Sequence, residues 1–136
     1  MLWGRLGLLA GKSMNPKHIV VLCSCPDEAV ASRIAGALVG EGLAACVNRL
    51  SGMRSTYRWD GALQDEGEVL LLIKTLGERF PVLEARIRTL HPYEVPEIIG
   101  IPVVAGSAQY LDWVSAGSSG PATGPSTARP DAAADR

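Results

Sequence analysis

The chain carries no dominant charge. Its 13 Lys and Arg stand against 14 Asp and Glu, a net charge of −1 over 136 residues. That balance argues against a polyanion-binding surface, so no nucleic-acid partner is expected. Cysteine is scarce. There are three, an odd number, in no disulfide-framework spacing. A reducing compartment, the cytoplasm, is therefore expected. No apolar run is long enough to span a bilayer, and no membrane partner is expected. Histidine occurs only as His18 and His91. No Ser-His-Asp arrangement is legible, so a non-catalytic protein is expected.

What the chain does have is apolar patterning. Apolar residues make up 47% and charged residues 20%, ordinary values for one folded domain. Two long strands, 43–59 and 66–75, flank a tight turn at Trp59-Asp60-Gly61. β-branched and aromatic residues around an Asp-Gly pair are a hairpin signal. Val47, Tyr57 and Trp59 share a parity on the first arm, and Ser51-Gly52-Met53 marks a bulge or bend within it. The second arm is apolar on both parities through Val69, Leu70, Leu71, Leu72 and Ile73. Such a run predicts a strand covered on both faces. Too few helices remain to supply two covers, so a second copy of the chain is expected to supply one.

The other elements follow in order. His18 to Cys25 reads as a strand with an Ile19-Val20-Val21-Leu22 core. Pro26, at the first helical position, with Asp27 and Glu28 opens a helix running to about residue 41. Val30, Ile34 and Leu38 give it one apolar face, and Gly42 stops it. A second helix begins near Gly77, repeats Phe80, Leu83, Ile87 and Leu90, and ends at His91 before Pro92. Residues 98–104 read as a short strand, with Pro102 placing it on an edge or marking its end. Ser107 caps a final helix carrying Tyr110, Leu111 and Val114.

The order β-α-β-β-α-β plus a terminal helix is an α+β, ferredoxin-like arrangement. Right-handed crossovers put both main helices on one sheet face. The other face is apolar and bare in one chain, so a homotrimer or similar assembly of like subunits is expected.

The ends differ from this domain, which spans residues 16–117. Residues 1–15 read as an N-terminal extension, with Met14 an alternative start. Leu6 to Ala10 is too short for a secretory signal core, and Lys12 follows closely. Gly11-Lys12-Ser13 ends like a phosphate-binding loop, but Leu6 stands where its first glycine belongs. Residues 118–136 are rich in Gly, Pro, Ser, Thr and Ala and read as a disordered tail.

Tracing strand directions gathers chemistry at one sheet edge. Cys23 and Cys25 end the first strand, His91 ends the second helix, and the Trp59-Asp60-Gly61 turn and the 92–97 loop point the same way. Cys46 belongs near the opposite edge and is assigned to packing. Each candidate also has a structural reading. Cys23 can be a buried small apolar residue. Cys25 shares its parity, and a Cys-Ser-Cys pair can chelate a soft ion such as Cu(I). His91 can instead interact with the negative end of its helix. Tyr57 and Trp59 suit an interface or core as well as a cleft. Glu94 and Glu97 read as a solvated loop or as metal- or anion-linked groups, and Lys74 as their ion-pair partner.

Several blocks resemble one known family. They are Val21-Leu22-Cys23-Ser24-Cys25-Pro26-Asp27, Leu43-Ala44-Ala45-Cys46-Val47-Asn48, Tyr57-Arg58-Trp59-Asp60-Gly61, Ile73-Lys74-Thr75, His91-Pro92-Tyr93-Glu94-Val95-Pro96-Glu97-Ile98 and Tyr110-Leu111-Asp112-Trp113. Together they resemble the divalent-cation tolerance proteins, CutA, over residues 17–115. The resemblance implies a ferredoxin-like subunit, a tight homotrimer, and binding of copper, Cu(I) or Cu(II), or another divalent metal. It implies no enzymatic reaction and identifies no protein partner. The family's copper-binding cysteine matches Cys23, and its histidine before Pro-Tyr matches His91. Where some members carry a second histidine, this chain has Leu90. Imidazole suits Cu(II), so the loss shifts expectation toward Cu(I) on Cys23 and Cys25. Two function classes stand: a metal-homeostasis protein, and a ligand-sensing or scaffold trimer like the nitrogen-control signal proteins in fold only.

Overall fold

The computed structural model describes residues 17–121. Strand β1 (His18–Cys25) is followed by α1 (Glu28–Gly40), then by the hairpin β2 (Cys46–Trp59) and β3 (Ala62–Leu76). A single 3-10 turn (Gly77–Arg79) leads into α2 (Phe80–Leu90), and β4 (Ile99–Pro102) and α3 (Ala108–Gly117) complete the order. The sheet order is β2-β3-β1-β4 with antiparallel neighbours throughout, the ferredoxin-like topology.

Alternation along β1 defines two faces. Ile19, Val21, Cys23 and Cys25 are buried beneath the helices. On β3 the residues opposite them, Val69, Leu71 and Ile73, are buried too. α1 lays Val30, Ala31, Ile34, Ala35 and Leu38 onto this face, and α2 adds Leu83 and Ile87. Each Val, Leu or Ile among them contributes about 1.5–3 kcal/mol on full burial.

Local chemistry sets the helix ends. The Asp27 side chain accepts the Val30 N–H at 2.9 Å and caps α1, which corrects the expected start: Pro26 lies before the cap, not at the first helical position. Asp outranks Pro there because its carboxylate satisfies an otherwise orphaned donor, an effect of about 1 kcal/mol. Gly42, at φ +69°, turns the chain out of the helix as expected. Pro81 lies in the first turn of α2, and His91 closes it with its N–H on the Ile87 carbonyl at 2.8 Å.

The hairpin turn is two residues, Asp60 at φ 53° and Gly61 at φ 79°, joining Trp59 to its partner Ala62. Positive φ at both positions matches the right-handed twist of the arms. The arms are shifted from expectation: β2 begins at Cys46 and β3 already at Ala62. Leu43 and Ala44 are drawn away by hydrogen bonds to the Leu38 carbonyl.

The Ser51-Gly52 bulge, with Gly52 at φ 87°, shifts the register between Leu50 and Met53. It inverts the parity of everything beyond it. Val47 lies opposite Ile73 on the helix side, whereas Tyr57 and Trp59 lie opposite Gln64 and Ala62 on the other. The single parity expected for these three residues therefore does not hold.

The helix-free face carries Val20, Leu22, Leu70 and Leu72. Around them Leu50 is 44%, Ile99 51% and Ile101 45% exposed. α3 covers only one end of this face, where His18 Nε2 lies 3.0 Å from the Leu111 carbonyl oxygen and 2.8 Å from Ser115 Oγ. β4 is shorter than expected and lies on the edge, with Pro102 as its last residue.

Packing continues past Gly117. Ser118 is fully buried, and the Gly120 N–H donates to the Gly42 carbonyl at 3.1 Å. The expected tail boundary at residue 118 thus falls within the described structure, where the Ser118 N–H caps the last turn of α3. The expectations for residues 1–15 and for 122–136 lie outside the described residues. Among the described residues no helix is long and apolar enough to cross a membrane.

Candidate functional site

The end of β1 and the end of α2 meet at one edge of the sheet. Cys23 and Cys25 point to the helix side by strand alternation, and Pro92 halts α2 so that His91 lies beside them. The two sulfurs and the His91 ligand nitrogen all lie within 4.8 Å of one another, and all three residues are buried.

The thiols are not equivalent. A hydrogen bond from Cys23 holds the Cys25 thiol below its usual range. The same hydrogen bond pushes Cys23 far up, reinforced by burial and by the negative charge of Cys25, Glu97 and Glu68. The two thiols therefore titrate as a coupled pair.

His91 is fully engaged. Its Nε2–H donates to the Ser24 carbonyl at 2.7 Å, and its Nδ1 accepts the Tyr93 N–H at 3.2 Å. The Tyr93 ring lies 4.8 Å from the imidazole, tilted by 57°. A metal taking this ring through Nδ1 competes with the Tyr93 N–H for one lone pair. Two thiols and one imidazole form a three-donor set, suited to a soft ion and one short of a closed structural zinc site. Leu90 packs against the hydrophobic core.

On the opposite face of β1 lies a cleft of about 660 Å³. Tyr57 and Trp59 of β2 form one wall, and Glu94 and Glu97 of the 92–97 loop the other. Ser24, between the two cysteines in sequence, lines this side. Four of the five expected cleft residues are therefore here. Lys74 is not. It is hydrogen-bonded to Asn48, opposite Cys46 at the far end of the sheet, and makes no pair with Glu94 or Glu97. The apolar length of β3 carries it away from that loop.

Glu68 and Tyr93 also line the cleft and escaped the sequence reading. Glu68 is 8% exposed and accepts the Tyr93 hydroxyl at 2.9 Å. Its signal was an acid directly adjoining the apolar run, on the parity of Leu70 and Leu72. Tyr93 joins cleft and cluster, with its hydroxyl on Glu68 and its N–H on His91. Burial and the Glu68 carboxylate push its phenol well above the usual range.

A ferredoxin-like subunit with a Cys-Ser-Cys strand end against a His-Pro-Tyr helix end defines a class of small proteins with a candidate three-donor ion site. The family model of the CutA1 divalent ion tolerance protein matches residues 19–117. The Thermus thermophilus divalent-cation tolerance protein CutA is 52% identical over 95 residues, covering 70% of this chain and 92% of the relative. The Escherichia coli protein of the same name is 39% identical over 109 residues, covering 80% of this chain and 97% of the relative. The solved structure of the Thermus thermophilus protein superposes with a TM-score of 0.73 at 48% identity, over 74% of this chain and 98% of that one. The chain belongs to the CutA1 divalent-cation tolerance family.

Proposed function

We propose that the chain is a non-catalytic, homotrimeric, cytoplasmic protein of metal-ion tolerance that binds copper through Cys23, Cys25 and His91. The observation that carries this reading is the convergence of two sulfurs and an imidazole within 4.8 Å of one another. The divalent-cation tolerance proteins it resembles support the choice of a metal. Thiolate donors favour Cu(I) over Cu(II). Three free cysteines fit a reducing compartment, and the bare apolar sheet face fits a trimer.

Competition titration of Cu(I) against a chelator tests the reading on wild type, Cys23→Ser, Cys25→Ser, His91→Ala and Cys46→Ser. Affinity falls at least about tenfold for both Cys23→Ser and Cys25→Ser, and Cys46→Ser leaves it unchanged. The opposite pattern removes the site. A second reading, a ligand-sensing trimer, rests on the cleft beside Glu68.

A further inference from the structure

Both nitrogens of the His91 ring are in use. A carbonyl oxygen only accepts, so Nε2, 2.7 Å from the Ser24 carbonyl, carries the ring proton. Nδ1 then holds the one free lone pair of the neutral ring, and the Tyr93 N–H donates to it at 3.2 Å. The two hydrogen bonds fix a single tautomer. The ring that would complete the Cys23 and Cys25 donor set therefore has no unclaimed lone pair.

Either nitrogen can serve as the ligand, and both routes break the same contact. Ligation through Nδ1 takes the lone pair that the Tyr93 N–H uses. Ligation through Nε2 needs a lone pair there, so the ring proton moves to Nδ1. A protonated Nδ1 then meets the Tyr93 N–H donor against donor. A neutral His91 cannot hold an ion and the Tyr93 N–H together.

Tyr93 resists release because it is anchored elsewhere. Its hydroxyl donates to the Glu68 carboxylate at 2.9 Å, and its ring lies 4.8 Å from the imidazole. Glu68 is buried, and a hydrogen bond to an ionised acceptor is stronger than a neutral one. Backbone slack is small. Pro92 fixes its own φ on one side of Tyr93, and Pro96 restricts Val95 on the other. Withdrawing the N–H from His91 thus draws the phenol from Glu68. All these contacts are made within one chain, so they do not depend on which surface a second copy covers.

We infer that Tyr93 competes with the metal for His91, and that Glu68, by holding the Tyr93 hydroxyl, lowers the copper affinity of the site. Tyr93 and Glu68 are positioning residues that act through His91. Metal-free, they pin the 92–97 loop to the end of α2, and loading frees the Tyr93 N–H. The inference rests on the copper reading and names the residues that oppose it.

The test is nuclear magnetic resonance of the isotope-labelled full chain, titrated with Cu(I) under reducing conditions. Chelator competition measures affinity in parallel. Metal-free protein shows His91 protonated on Nε2 alone and a slowly exchanging Tyr93 amide. At saturation a His91 ring nitrogen shifts, and the Tyr93 amide exchanges at least about tenfold faster. Tyr93→Phe keeps the ring beside His91 but loses the hydroxyl, and Glu68→Gln leaves only a neutral acceptor for it. Each binds Cu(I) at least about threefold more tightly than wild type. The gain vanishes when either is combined with His91→Ala, which a merely structural role for Tyr93 does not predict. An unchanged Tyr93 amide beside a shifted His91 nitrogen overturns the inference. So does equal or weaker binding in Tyr93→Phe, or a gain that persists without His91. Cu(I) binding that leaves His91 unshifted overturns it too, while leaving the thiol part of the copper reading standing. Absence of any Cu(I) binding removes both.

Discussion

The imidazole of His91 donates its Nε2–H to the carbonyl of Ser24 across 2.7 Å, between the two thiols it would join in binding metal. Ser24 lies between Cys23 and Cys25, so this hydrogen bond ties the end of α2 to the strand that presents both sulfurs. With Nδ1 held by the Tyr93 N–H, the ring is satisfied by protein groups alone. His91 therefore has structural work to do whether or not a metal binds.

That dual role predicts a stability loss without metal. His91→Ala leaves the Ser24 carbonyl and the Tyr93 N–H without their partner. Each buried unsatisfied group costs about 1–3 kcal/mol. Denaturant unfolding of chelator-treated protein measures the loss directly. Weakened copper binding in His91→Ala counts as evidence of ligation only beyond this cost. Unchanged metal-free stability would mean that these hydrogen bonds are not formed in solution.

The alkaline limb of stability follows from Cys23 and Tyr93. Cys23 is raised chiefly by its hydrogen bond to Cys25, and Tyr93 chiefly by burial. In both, the folded chain keeps a proton that the unfolded chain releases. Bound protons are then fewer in the unfolded state, so stability falls as pH rises past the unfolded values, about 8.5 for thiol and about 10 for phenol. Cys25 acts oppositely, since its thiol is lowered. Its contribution is present above about pH 8.5 and is lost as pH falls through its lowered folded value. Melting temperature measured against pH therefore declines above about pH 9, and less steeply in Tyr93→Phe. A flat alkaline limb would contradict the Cys23 and Tyr93 environments.

Most of the fold was legible because its signals are local. Asp60-Gly61 demands positive φ, Pro92 stops a helix, and Ile19-Val20-Val21-Leu22 form a continuous apolar core. The clustering of Cys23, Cys25 and His91 was legible because strand direction alone brings those ends together. What escaped depends on register. The bulge at Ser51-Gly52 turns Tyr57 and Trp59 to the opposite face from Val47, and periodicity counted through it misplaces them. Lys74 was linked to Glu94 and Glu97 by charge sign, without regard to the length of strand separating them. Glu68 was hidden in an apolar arm whose other members dominate the pattern.

Gly42 and the chain beyond α3 form a linked pair. Gly42 and Gly61 both have positive φ, +69° and +79°. A Cβ at Gly61 meets nothing within 4 Å, whereas one at Gly42 would lie 2.1 Å from the Gly120 backbone. Gly61→Ala costs about 1–2 kcal/mol, the left-handed penalty alone. Gly42→Ala costs more, because backbone must also move. A chain ending at residue 121 keeps the Ser118 and Gly120 contacts and melts with the full chain. A chain ending at residue 117 loses them and melts lower, but there Gly42→Ala costs no more than Gly61→Ala. Thermal melts of the two truncations with and without Gly42→Ala measure the coupling. A full-size Gly42→Ala penalty in the chain ending at 117 would show that the clash with Gly120 is not its source.

The bare sheet face predicts the assembly. Leu70 and Leu72 turn away from the helices on the parity opposite Val69, Leu71 and Ile73. Beyond the bulge the hairpin arms pair only with each other, and Trp59 and Leu63 at their tips are 52% and 71% exposed. α3 is too short to cover this surface, and an exposed apolar face of such extent favours association. Sedimentation velocity at micromolar concentration is expected to give three times the 14.4 kDa chain mass. Obligate interfaces of this kind bury more than about 2,000 Å². Leu70→Lys with Leu72→Lys places two charges in that interface and abolishes the trimer, because an unpaired buried ammonium is strongly unfavourable. Val82→Lys on α2, at a residue already 54% exposed, leaves the mass unchanged. If the wild-type chain instead sediments as a folded monomer, the helix-free face is a surface that water tolerates, and the trimer is wrong.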